Sequence, residues 1–200
     1  MKIVKNKHKL SIPTQPCDSV DEGMKIAEKL LEGLEKFGGV GLAANQIGIN
    51  KSVCVVGARA DEEPKILINP TIIEHSEERV LYVEGCLSLP GKPKKTLRHK
   101  SVTVSCDNWG NNIEFKPDGD LDKDNYWNDE GLLECVCIQH EIGHLDGELI
   151  TDRDIRYIPE PMKSNKIGRN EKVMIEKDGE TQYIKYKAAE SLLEEGWKII

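Results

Sequence analysis

The chain has 200 residues, enough for one domain with a sizeable core and a small appendage, and its 32% charged and 38% hydrophobic residues are ordinary for a globular protein. A net charge of −7 is spread along the whole length and leaves no basic footprint for nucleic acid or an anionic membrane surface. No run of eighteen apolar residues is present, which excludes a membrane-spanning helix.

Residues 1–10 alternate lysines with short apolar residues and lack the apolar core of a secretory signal. The six cysteines, Cys17, Cys54, Cys86, Cys106, Cys135 and Cys137, are therefore expected as reduced thiols in a cytoplasmic setting, most of them in the core. Apolar residues at 20, 24, 27, 30, 31 and 34 predict an amphipathic helix over 20–37, capped by Asp18 or Ser19 and ended by Gly38-Gly39. The segment 39–46 (GVGLAANQ) is too rich in small residues for a surface helix, and its glycines suggest close approach of backbone to another group. Strands are expected at 51–58 and 65–69, a strand pair within 71–83, and a further strand at 101–106. Residues 116–131 are polar and read as an inserted loop, in which Tyr126 and Trp127 are expected to pack.

Residues 132–145 form the strongest helical pattern, apolar on nearly every side and stopped by Gly147, so this helix should run through the core. The fold class is α+β: mixed or antiparallel strands around one buried helix, with an N-terminal helix and a short C-terminal appendage. Residues 1–158 are taken as the catalytic domain. Residues 159–170 resemble a linker, followed by a hairpin around Asp178-Gly179 and a short helix over 188–195. So short a tail has little core of its own and should dock on the domain, on a partner or on itself.

The buried helix carries His140-Glu141-Ile142-Gly143-His144. Residues four apart lie about 40° apart around a helix axis, so both imidazoles face one space. Two imidazoles at that spacing suit zinc, iron or a similar ion, with Glu141 one step round as acid/base. Buried polar residues without partners would be costly here, which favours a metal site over a chance match. The third ligand decides the reaction class. Ile150 stands where one group of zinc endopeptidases has a third histidine, and Glu148, Glu160 and Glu171 lie on no convincing second helix. Upstream, Glu84-Gly85-Cys86-Leu87-Ser88 offers Cys86, whose thiolate with two imidazoles gives three ligands and one open position.

The segments 39–46 (GVGLAANQ), 84–88 (EGCLS) and 139–144 (QHEIGH) resemble, in order and spacing, the three motifs of the peptide deformylases, with similarity reaching to about Asp154. The resemblance implies a metal-dependent hydrolase that removes the formyl group from the N-terminal formyl-methionine of new polypeptides and releases formate. It implies Cys86, His140 and His144 as ligands of one divalent metal, Fe2+ first, with Zn2+, Ni2+ or Co2+ also accepted. Glu141 would be the acid/base, and Gln46 with the backbone N–H of Leu87 the oxyanion donors. Val40, Gly41, Gly85, Val136 and Cys137 would line the groove and methionine pocket. Partners would be N-formyl-methionyl peptides and nascent chains, with the ribosome a further candidate. The alternatives are a metallopeptidase of the H-E-x-x-H type and a non-catalytic metal-binding protein.

One departure stands inside the helix. The resembled pattern has aspartate where this chain has Gly143, which costs about 1 kcal/mol of helix stability relative to alanine and deletes a carboxylate. Lower stability or turnover, without loss of metal binding, is expected from it. Arg98 matches a position where the pattern often has arginine, and reads either as the ionic partner of Glu84 or as an ordinary exposed arginine.

Overall fold

The computed structural model describes residues 1–122, 125–153, 172–177 and 180–199. They fall into two compact units, Met1–Arg156 and Tyr157–Ile200. In the first unit the order is α1 (Lys7–Leu10), α2 (Val20–Phe37), β1 (Gly41–Ala43), a 3-10 turn (Ala44–Ile47), β2 (Val53–Val56), β3 (Lys65–Ile68), β4 (Thr71–His75), β5 (Arg79–Glu84), β6 (Lys94–His99), β7 (Val102–Ser105), β8 (Ile113–Phe115) and α3 (Glu130–Leu145). The strands form three antiparallel sheets, β1-β2-β3, β4-β7-β8 and β5-β6.

Helix α2 starts at Ser19, whose hydroxyl accepts the Glu22 N–H at 3.2 Å, and ends at Gly38 with φ 68°. Its buried stripe of Gly23, Ile26, Ala27, Leu30 and Gly33 packs with Leu42, Val53, Val55 and Ile68 of the first sheet. The opposite face of that sheet, through Ala43, Cys54, Val56 and Leu67, packs against α3. All residues of α3 except Glu130 and Leu133 are buried, as expected for a helix enclosed on nearly every side. Asp129 caps it by accepting the Leu132 N–H at 2.7 Å, so the helix begins two residues before the apolar run that announces it.

Glu134, the one acidic residue of the run preceding the histidines, is buried and held by Arg59 Nε at 2.9 Å and Lys65 Nζ at 2.7 Å. Arg59 also grips Asp118 at 2.7 Å, which ties the inserted loop to α3. In that loop Tyr126 and Trp127 pack on Tyr82, with ring centroids 6.3 and 5.2 Å away, and the Tyr126 hydroxyl donates to the Leu81 carbonyl. Tyr126 is packed as expected, whereas Trp127 touches Tyr82 but stays largely exposed.

Several expectations need correction. The strands within 71–83 exist but do not pair with each other: β4 pairs with β7 and β5 with β6. Strand β6 was not expected, because lysines 94 and 95 hide an alternation in which Thr96 and Arg98 turn inward. The three-residue β8 was missed for its brevity. In the second unit, β9 (Lys172–Lys177) pairs with β10 (Glu180–Lys185) as the expected hairpin, and also with β11 (Lys198–Ile199). Helix α4 (Tyr186–Glu194) begins two residues early, and Val173, Ile175 and Ala189 form a small core. Among its described residues the tail therefore has a small core of its own. The proposed linker 159–170 and the Asp178-Gly179 turn lie outside the described residues.

Candidate active site

Three chain segments meet on α3. The first is β1 with the 3-10 turn, which brings Gly41 and Gln46. Gly41 has no room for a side chain, since a Cβ there would lie 2.6 Å from both Cys137 Sγ and Glu141 Oε1. This is the close backbone approach that the small residues of this segment predict. Gln46 is almost wholly buried. Its Oε1 accepts the Ala43 N–H at 2.9 Å, which leaves Nε2 directed at Ser88 Oγ (3.2 Å) and Cys86 Sγ (3.6 Å). The glutamine therefore both fastens two loops and holds an amide donor beside the thiol.

The second segment is the end of β5 and the turn after it. Alternation along β5 turns Val80, Tyr82 and Glu84 inward, and Gly85 and Cys86 follow directly. The third is α3, with His140 and His144 one turn apart, ring centroids 4.9 Å from each other. The thiol of Cys86 and one nitrogen of each histidine lie within 4.8 Å of one another, and Cys86 Sγ is 3.1 Å from His144 Nε2. One sulfur and two imidazole nitrogens converging in this way fit a single first-row divalent ion.

Behind His140 stands a network that sequence spacing could not reveal. Its Nδ1 bonds Glu84 Oε2 at 2.6 Å. The same carboxylate takes Arg98 Nε at 2.7 Å and another guanidinium N–H at 2.9 Å, and the Thr96 hydroxyl donates to it as well. Arg98 is buried and paired with Glu84, as expected for the pair and unlike an ordinary surface arginine. Burial alone would raise the Glu84 pKa, but its bonds to His140 and Arg98 hold it down to about 2. Burial alone would depress His140, yet its bonds to Cys86 and Glu84 raise it to about 10. A carboxylate behind an imidazole makes the ring a stronger base, and a stronger ligand for a cation as much as for a proton. His144 moves the other way, to about 3, through burial and the neighbouring charges of His140 and Arg98, so its ring is neutral at ordinary pH.

Glu141 is buried, and its Oε2 has no hydrogen-bond partner among the described residues. Burial raises it to about 7, within the range that suits proton transfer near neutrality. It borders a cavity of about 440 Å3, within the usual range for a small-molecule site. The residues expected at the groove, Val40, Gly41, Gly85, Val136 and Cys137, all line it, together with Gln46, Cys86, Leu87, His140 and Glu141. Tyr82, Val83, Pro90 and Leu133 also line it and were not anticipated. The period-two pattern of β5 was the available signal for Tyr82. The walls are mainly apolar, and the polar groups gather at the Cys-His-His end.

A buried H-E-x-x-H helix with a cysteine beside its two histidines, and an apolar cavity at their edge, mark the chain as a metal-binding hydrolase. The family model for polypeptide deformylase matches residues 1–159. A peptide deformylase of Thermosynechococcus vestitus is 37% identical over 146 residues, covering 70% of this chain and 71% of that protein. One from Finegoldia magna is 34% identical over 141 residues, covering 70% and 80%. Among solved structures, the Thermotoga maritima enzyme superposes with a TM-score of 0.62 at 31% identity, over 77% of this chain and 96% of that one. The Plasmodium falciparum enzyme does so with 0.65 at 28%, over 78% and 87%. The chain belongs to the polypeptide deformylase family. It is an enzyme that removes the N-formyl group from newly made polypeptides, and neither the metallopeptidase nor the non-catalytic alternative is retained.

Proposed function

We propose that Cys86, His140 and His144 hold one divalent metal, Fe2+ before Zn2+, Ni2+ or Co2+, and that the residues around them carry deformylation of formyl-methionyl peptides. The observation that supports this most is the convergence of three donor atoms within 4.8 Å beside a buried, unpartnered carboxylate oxygen of Glu141. When bound, the metal supplies Lewis acidity, which polarises the formyl oxygen and makes water a better nucleophile.

The remaining roles belong to the chain. Glu141 takes the proton of the attacking water and delivers it to the departing amine, which its raised pKa favours in both directions. Gln46 Nε2 and the backbone N–H of Leu87 donate to the oxygen that gains charge, and a donor of this kind contributes about 3 kcal/mol in comparable sites. Because Gln46 is already fixed through its own carbonyl to Ala43, little reorganisation accompanies that donation. The methionine side chain occupies the apolar cavity, with Val40, Gly41, Gly85, Val136 and Cys137 against it. Residues 1–158 form the catalytic domain and 159–200 an appendage. The enzyme works in the cytoplasm on chains leaving the ribosome.

The test is formate release from formyl-Met-Ala-Ser by Fe2+-loaded protein, handled without oxygen, beside a longer unblocked peptide. Formate from the first with no cleavage of the second is expected. Cleavage of internal bonds without formate release would overturn the assignment.

A further inference from the structure

Gly143 lies between the two histidines on α3 and lines a small cleft, not the substrate cavity. The cleft is lined by Arg98, His140, Gly143, His144, Glu148 and Arg153 among others. A Cβ built on Gly143 would have Glu148 as its nearest neighbour, with both Cβ and Oε2 at 3.9 Å. A carboxylate reaches back from the turn after the helix into the space that a side chain at 143 would otherwise share. Glu148 is set there by its own backbone, whose N–H donates to the Gly143 carbonyl at 2.7 Å. Its carboxylate is held by Arg153, through Nε at 2.8 Å and a second guanidinium N–H.

The two histidines differ at their outer nitrogens. His140 Nδ1 has Glu84, whereas His144 Nδ1 is buried and has no partner among the described residues. An imidazole that ligates a metal through one nitrogen needs an acceptor at the other to fix its tautomer and orientation. A second candidate acceptor is the buried Oδ1 of Asn45, which has no partner among the described residues and sits on a side chain whose amide donates to the His144 carbonyl. Asn45 is already committed to the backbone of His144, while the Glu148 carboxylate belongs to the cleft that His144 also lines.

We propose that Glu148, oriented by Arg153, is the positioning residue for His144: its carboxylate takes the Nδ1–H and supplies from the turn what Gly143 cannot supply from the helix. This rests on the metal-site reading above. It predicts a particular pattern of coupling between positions 143 and 148, because one carboxylate is needed and two would repel.

The test measures Zn2+ affinity by competition with a chromophoric chelator, and kcat and KM separately, in the full chain. Glu148→Ala should weaken Zn2+ binding about 10- to 100-fold, and Glu148→Gln, which keeps an acceptor oxygen, should recover most of it. Gly143→Asp should bring no gain in the native background and should restore affinity in the Glu148→Ala background. Zn2+ affinity of Glu148→Ala within twofold of the unaltered chain, or the same increment from Gly143→Asp in both backgrounds, would overturn the proposal. So would a loss on Asn45→Ser that Glu148→Ala does not share. If the unaltered chain binds no Zn2+, the metal-site reading itself fails, an outcome distinct from an unaltered chain that binds Zn2+ as tightly as Glu148→Ala.

Discussion

The two histidines of α3 are one turn apart, yet opposite physics holds them. On the His140 side every polar group is buried and paired: Glu84 is shared by His140, Arg98 and Thr96, all in the interior. On the His144 side a glycine faces an exposed pair, with Glu148 and Arg153 side chains 46% and 44% accessible. Charges in a low-dielectric interior are tolerated only when fully matched, so loss of one partner leaves the others uncompensated. At the surface, water screens such pairs, and a residue there can change at small cost in folding stability. The difference explains how the chain carries Gly143 inside its central motif while the Glu84 network stays complete.

If that contrast is right, the largest effect should come from Glu84→Ala. It strands the buried Arg98 guanidinium and should cost about 3–5 kcal/mol in chemical denaturation. A loss below about 1 kcal/mol would break the contrast. Thr96→Val removes one hydrogen bond to the same carboxylate and should cost about 1.5–3 kcal/mol. The sign should reverse at the other face. Gly143→Ala meets nothing closer than 3.9 Å and gains helix propensity, so it should stabilise by up to about 1 kcal/mol. Destabilisation there would show that the cleft is less forgiving than its exposure implies.

The smallest effect concerns the exposed arm of the Arg59 cluster. Arg59 holds the Asp118 pKa below its ordinary value of 3.8, so the carboxylate's contribution is complete above that value and is lost as pH falls through the lowered one. At 51% side-chain exposure, solvent screens most of it. The difference in melting temperature between the unaltered chain and Asp118→Asn should therefore be slight at pH 6 and shrink further towards pH 3.

Much of this was legible in the sequence because it is local. The stripe of α2, the apolar run of α3 and the four-residue histidine spacing need no knowledge of the rest of the chain. Residue chemistry offered Cys86 and the motif resemblance added Gln46, and both come together with the histidines only through the tertiary fold. The Glu84–His140 bond spans 56 residues, and although the Glu84–Arg98 pair was one of two readings of Arg98, nothing in either residue's neighbourhood points to the ring. Strand β6 was hidden by its lysines. In the sequence Glu148 stands out only as a conceivable metal ligand on a second helix, a place it does not hold. Its position across from Gly143 follows from the turn at Gly147, where φ is 78°.

The account stands most directly on Glu141. In Fe2+-loaded protein, Glu141→Ala should lower kcat for formate release from formyl-Met-Ala-Ser about 10²- to 10⁴-fold, with the metal content of the purified protein unchanged. Formate release at the unaltered rate would contradict it, as would activity lost only in step with lost metal.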